Sequence, residues 1–212
     1  MTRTAGNRTR RRLPGTNAMR LAAIVIGSSL AGAMTIAGCS HSPPMRYVTL
    51  SAAPAATPLA TGRIEPVQLT ALHIPGELDR PEVVTQISGN QLSVDEGTRW
   101  GAPLARMMRR TLAEDLLSRL PEGSFVLPDS PAPTETRALV VTVLDLEIDT
   151  SKTLRMQAAW TLSTGRPDRV VLTRQATLSV EMPDSNAAAQ AASLSRALGQ
   201  LADRIAASIP SR

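Results

Sequence analysis

The chain has one cysteine, Cys39, at the end of an uncharged apolar run, and it divides the sequence into two parts of different chemistry. Ahead of it lie six arginines, Arg3, Arg8, Arg10, Arg11, Arg12 and Arg20, and no acid. Beyond it, 17 Lys and Arg face 18 Asp and Glu, so the formal net charge of +5 comes from the leader. A single cysteine excludes an intramolecular disulfide framework and a cysteine-rich zinc site. A neutral folded part lacks the basic stripe that phosphate binding needs, so no nucleic-acid partner is expected. The core is built with few aromatics. Only Tyr47, Trp100, Phe125 and Trp160 occur in 212 residues, which leaves Ala, Leu, Val and Met to fill it.

The leader has the layout of a secretory signal peptide: a positive start, an apolar run from Leu21, then small residues up to a cleavage point. Its end, Ile36-Ala37-Gly38-Cys39, resembles the lipobox of bacterial lipoproteins, in which cleavage falls between Gly38 and Cys39 and the thiol then carries a diacylglycerol. A membrane-spanning reading of Leu21–Gly38 is weaker, because Gly27, Ser28, Ser29 and Gly32 dilute its hydropathy. A twin-arginine reading of Thr9–Leu13 suffers from Pro14 and the long gap to the apolar run. Residues 1–38 are therefore expected to be a lipoprotein signal, with Met19 as an alternative start and Cys39 as the lipidated residue. By the sorting rule of such lipoproteins, Ser40 in place of aspartate favours the outer membrane. Each buried acyl CH2 contributes about 0.8 kcal/mol, so two or more chains anchor stably.

Residues 40–62 are rich in Pro, Ala, Ser and Thr, interrupted by the strand-like Arg46–Leu50. Ile64–Leu72 reads as a strand, and Val83–Ile87 and Gln91–Val94 flank Ser88-Gly89-Asn90 as a hairpin. A helix is predicted over Gly101–Leu120, with Pro103 in its first turn. Its apolar face holds Leu104, Met108, Leu112, Leu116 and Leu120, widened by Met107 and Leu117. Leu139–Asp149, Leu154–Leu162 and Val170–Val180 alternate as strands, the first with Leu144, Leu146 and Ile148 on one side and Asp145, Glu147 and Asp149 on the other. Pro183-Asp184-Ser185 starts and caps a helix to Ile209, with Ala187, Ala191, Leu194, Leu198, Leu201 and Ile205 as its inner stripe. The expected fold is a single α/β (α+β) domain, a mixed sheet with two main helices packed on it, in the order β-β-β-β-α-β-β-β-α.

Little in this chain supports catalysis. No phosphate-binding glycine loop, serine nucleophile elbow or HExxH is present, and neither His41 nor His73 has a partner in sequence. Asp145, Glu147 and Asp149 read as the wetted face of a strand rather than a metal site. Glu114 and Asp115, near Arg110 and Arg119 at helical spacing, read as solvated ion pairs. Trp100 is either a core plug or an interface anchor, and Trp160 a core residue. No enzyme activity and no cofactor are expected.

Arg46-Tyr47-Val48-Thr49-Leu50, Val67–Pro75, Leu78-Asp79-Arg80-Pro81, Val83-Val84-Thr85, Arg99-Trp100-Gly101-Ala102-Pro103-Leu104, Leu112–Leu116 and Gln157–Trp160 together resemble the ABC-type transport auxiliary lipoprotein family, the paraquat-inducible protein C and YmbA-like lipoproteins. Val48 and Gly101 depart mildly from its pattern. The resemblance implies a non-catalytic, outer-membrane-anchored periplasmic protein serving an MCE-type lipid transport system that supports envelope integrity. The partners it implies are an MCE-domain protein and an inner-membrane permease, with a second copy of the chain as a further candidate. It narrows the lipidated cysteine and its tether to residues 39–45, places the domain at 46–212 with a Pro/Ala-rich loop at 51–63, and points to Arg80 and Trp100 as partner-binding residues. The competing expectation is a lipid carrier holding acyl chains between the sheet and the helices.

Overall fold

A computed structural model describes residues 44–55, 62–86, 91–165 and 169–211, all within the compact unit Pro44–Arg212. The signal segment, Cys39 and the tip of the first hairpin lie outside them. The elements run β1 (Arg46–Val48), β2 (Val67–His73), β3 (Glu82–Gln86), β4 (Leu92–Trp100), α1 (Leu104–Arg119), β5 (Phe125–Val126), β6 (Arg137–Ile148), β7 (Thr153–Thr164), β8 (Arg169–Glu181) and α2 (Ala187–Ser208). The order matches the expected one, with the two-residue β5 added.

The sheet is built on β6, which is paired along both edges. Antiparallel β7 covers one edge from Ala138 to Ile148. On the other edge parallel β2 pairs with residues 137–142, and β3 takes over at Glu147. Beyond β7 lies antiparallel β8; beyond β3 lies antiparallel β4, and β1 runs parallel to β4. Both helices pack on one face. Alternation explains most of it: Leu154, Met156, Ala158, Trp160 and Leu162 on β7 all point to the helices and are buried.

A bulge corrects the reading of β6. The register with β7 shifts between Val143 and Asp145, so Leu144 is the extra residue. The inward set is Leu139, Val141 and Val143, then Leu146, while Leu144 is 48% exposed. A second correction concerns the strand read as Gln91–Val94, which runs on to Trp100 as β4. Parallel pairing of Thr98–Trp100 with β1 carries the strand past Val94. Along β3, the partner jumps from Arg99 to Asp95 in one step, so Glu96–Thr98 bulge out between.

The helices begin differently from expectation, although they end at Leu120 and Ile209 as read. In α1, Pro103 is the N-cap and makes no side-chain cap bond, whereas α2 is capped by Asn186, whose side chain accepts from Ala189 N at 2.9 Å. Asp184 instead braces the cap, accepting from Asn186 Nδ2 at 2.6 Å. The α2 stripe Ala187–Ile205 is buried as read. On α1, Leu104, Met107, Met108, Leu112, Leu116 and Leu120 are buried, but Leu117 faces solvent at 52% exposure. Among the described residues no helix is long and apolar enough to cross a membrane.

Leu116→Ala should therefore cost about 2–5 kcal/mol, through lost transfer energy and the cavity left behind. Leu117→Ala, one residue on, should stay within about 0.5 kcal/mol. Urea unfolding of the two variants measures the difference, and equal losses would contradict the helix rotation described.

Candidate interaction site

The Leu78-Asp79-Arg80-Pro81 element is a tight turn, closed by Leu78 N to Pro75 O at 3.1 Å and Asp79 N to Gly76 O at 3.3 Å. Each residue has its own task. Leu78 is 3% exposed and plugs the core. Asp79 Oδ1 accepts from Ala105 N at 3.4 Å, giving the first turn of α1 the acceptor that Pro103 cannot supply. The Pro81 carbonyl accepts from Trp100 N at 2.8 Å. Gly101 N donates to Val48 O at 2.9 Å, so this turn, the end of β4 and β1 form one joint. An alanine at 101 would place its Cβ 3.5 Å from that same carbonyl, an ordinary contact.

The joint sends Trp100 inward and its neighbour outward. Trp100 is 4% exposed, and its Nε1 is buried with no hydrogen-bond partner. Tyr47, Arg99 and Glu82 are register partners across β1, β4 and β3 and so share the face away from Trp100. Tyr47 is 67% exposed. Glu82 lies 3.8 Å from Arg99 and 3.6 Å from Arg80, so one carboxylate sits between two guanidinium groups. Ion pairs this exposed contribute little stability. Tyrosine and arginine are, however, the side chains that binding surfaces favour. The structure thus places Arg80 on a surface row with Tyr47 and Arg99, and Trp100 beneath it. Arg99 and Tyr47 were not singled out from sequence. Strand alternation at Arg99-Trp100 was the signal that could have found them, once both were assigned to a strand.

A second constellation was misjudged. Glu114 does pair with Arg110 at the surface, 3.8 Å away, but Asp115 and Arg119 are 0% and 5% exposed. Arg119 Nη1 donates to Asp115 O at 3.0 Å and lies 3.4 Å from Asp115 Oδ1, while its Nε donates to Asp203 of α2. Asp115 Oδ1 accepts from Ala53 N at 2.7 Å, which ties the segment after β1 to α1. Gly199 of α2 lets this happen: a Cβ there would stand 3.3 Å from Ala53 Cβ and 3.4 Å from Arg119 Nη2.

Elsewhere, polar groups serve local structure. Asp149 accepts from Ser151 Oγ at 2.6 Å and from Thr153 N at 2.9 Å, bonds that hold its carboxyl below the usual range. Arg155 lies 3.8 Å from Glu147 and 3.7 Å from Asp149. No group of three metal-ligating side chains is present among the described residues. A groove of about 450 Å³ separates residues 48–53 from α2, floored by Ala188, Ala191 and Ala192. The space between sheet and helices is filled instead by side chains such as Met156, Leu194, Leu198 and Leu201, each 0% exposed.

A sequence profile described as ABC-type transport auxiliary lipoprotein component matches residues 48–206, a span from the last residue of β1 into the last turn of α2. The chain belongs to that family. The auxiliary lipoprotein domain is also similar to two solved structures. One, described only as an uncharacterized protein, is 20% identical with a TM-score of 0.63 over 77% of this chain and 97% of its own. The other, protein XCC0632 from Xanthomonas campestris, is 19% identical with a TM-score of 0.57 over 76% and 91% respectively. At these identities the likeness establishes the fold. No curated protein matches the chain.

Two outcomes are expected. Trp100→Ala should destabilise the domain by about 3–5 kcal/mol as a core truncation, seen as a lower urea midpoint. For Asp115, burial raises the carboxyl above its ordinary 3.8, against the lowering effects of the Ala53 N–H and Arg119. A carboxyl that protonates more readily when folded favours the fold at low pH, and that contribution is lost as pH climbs from 3.8 through the raised value. The stability of the natural chain relative to Asp115→Asn should fall across that window and level off above it; a difference that rises with pH would contradict the raised carboxyl.

Proposed function

We propose that this auxiliary lipoprotein is a non-catalytic adaptor, anchored through Cys39 in the outer membrane and docking in the periplasm onto the MCE-domain protein of a lipid transport system. The observation that carries this reading is the joint around Trp100. The strand that follows the tether in sequence, β1, is built into the same surface as the Leu-Asp-Arg-Pro and Arg-Trp residues. Tyr47, Arg80 and Arg99 are the contact residues of that face, and Trp100 supports them from below. Docking through a surface row suits an adaptor better than a carrier, because the interior is occupied by side chains. The family membership supports the transport role, and Ser40 supports the outer membrane.

Affinity purification from crosslinked envelopes tests this. The natural chain should recover an MCE-domain protein and fractionate with the outer membrane, and Cys39→Ala should be released. Arg80→Glu combined with Arg99→Glu should keep the fold and lower partner recovery about tenfold, the equivalent of ~1.4 kcal/mol. Undiminished recovery by the double variant would remove this face from the proposal. Phospholipid copurifying with the natural chain in place of a protein partner would favour the carrier.

A further inference from the structure

β8 pairs only with β7, and no described strand covers its other edge. Hydrogen bonds reveal which backbone groups face outward. Met182 N donates to Lys152 O at 2.8 Å, so the even-numbered residues of this strand direct their backbone toward β7. Antiparallel alternation then turns the N–H and C=O of Thr173, Gln175, Thr177 and Ser179 to the open edge. Two side-chain bonds agree. The carbonyls of Thr173 and Glu181 accept from Arg174 Nη1 at 3.0 Å and Arg196 Nη2 at 2.6 Å, neither of them a ladder bond.

Over the regular stretch 172–178, Thr173 mirrors Thr177 and Leu172 mirrors Leu178 about Gln175, while Arg174 stands opposite Ala176. Two identical strands related by a twofold axis pair without a bulge only if facing residues point their backbones the same way. The axis must therefore pass through a residue. Passing it through Gln175 sets Leu172 against Leu178 of the second copy on the helix side and Thr173 against Thr177 on the outer side. An axis through Arg174 would set two arginines face to face.

We propose that β8 is a self-pairing edge, and that two copies of this chain join by antiparallel β8–β8 pairing centred on Gln175 into one continuous sheet. Pairs at 173, 175 and 177 exchange about six backbone hydrogen bonds. The register shift that leaves Val171 unpaired with β7 ends the regular part of the edge. Arg174, opposite Ala176 of the second copy, has to leave the Thr173 carbonyl, so it guards the edge in the monomer. Edge pairing buries less than the roughly 1,200 Å² of a stable interface, so the dimer is weak and depends on concentration.

The test uses the full chain in detergent. In this register the two Gln175 Cα atoms stand about 5.5 Å apart, within disulfide range, whereas two Ser179 positions are about 27 Å apart. Under mild oxidation, Gln175→Cys should crosslink at least tenfold more than Ser179→Cys; Cys39 is common to both and cannot make the difference. Equal crosslinking, or none at 175 in a folded chain, would overturn the proposal. Sedimentation provides the second arm. The natural chain should shift from monomer to dimer with concentration, and Gln175→Pro, which removes an edge N–H that β7 does not use, should remain monomeric with an unchanged circular dichroism spectrum. A Gln175→Pro variant that folds and still dimerises would also overturn it; if proline unfolds the strand, the crosslinking arm decides.

Discussion

Arg119 is the charge on which the arrangement of helices and entry segment depends. It reaches Asp115 on its own helix and Asp203 on α2, and Asp115 in turn holds Ala53. Three stretches distant in sequence therefore share one buried ionic node. Such nodes contribute little net stability because desolvation offsets their attraction, yet removing one partner strands a buried charge. The node fixes where the chain leaves β1, and so fixes the entry strand on which Tyr47 stands. Without it, β1 would hold to the domain by three residue pairs with β4 and its packing near α2.

The fold was legible to the extent that burial follows period. The face of α1 from Leu104 to Leu120 and the stripe of α2 from Ala187 to Ile205 were read correctly because one turn of helix repeats faithfully. Leu144 was assigned to the wrong side because a bulge adds one residue, and the apolar pattern on either side of it is too rich to show the shift. β4 was extended from Val94 to Trp100 by pairing with β1, a contact some fifty residues away that no local window contains. Asp115 looked like a surface residue because Glu114 beside it is one. It is buried where Ala53 and Arg119 close over it, both of them packed against Gly199.

The surface row around Arg80 was partly visible. Arg80 was singled out on the strength of a motif, and Trp100 with it. The structure gives the motif a physical division of labour: the apolar members lock the joint and the charged members line its surface. Strand register decides this. Arg99 joins Tyr47 and Glu82 because β1, β4 and β3 lie side by side, a neighbourhood invisible until the parallel β1–β4 pairing is known.

The hydrogen bond from Ser51 N to Ser195 Oγ spans 144 positions of sequence and joins the first strand's exit to the last helix. The node at Arg119 likewise needs Asp203, near the chain's end. Contacts this distant raise contact order, and loop closure must be completed before they contribute. Neither contact can form until α2 is present, so the exit of the first strand and the end of α1 are tied to the rest only once nearly the whole domain exists.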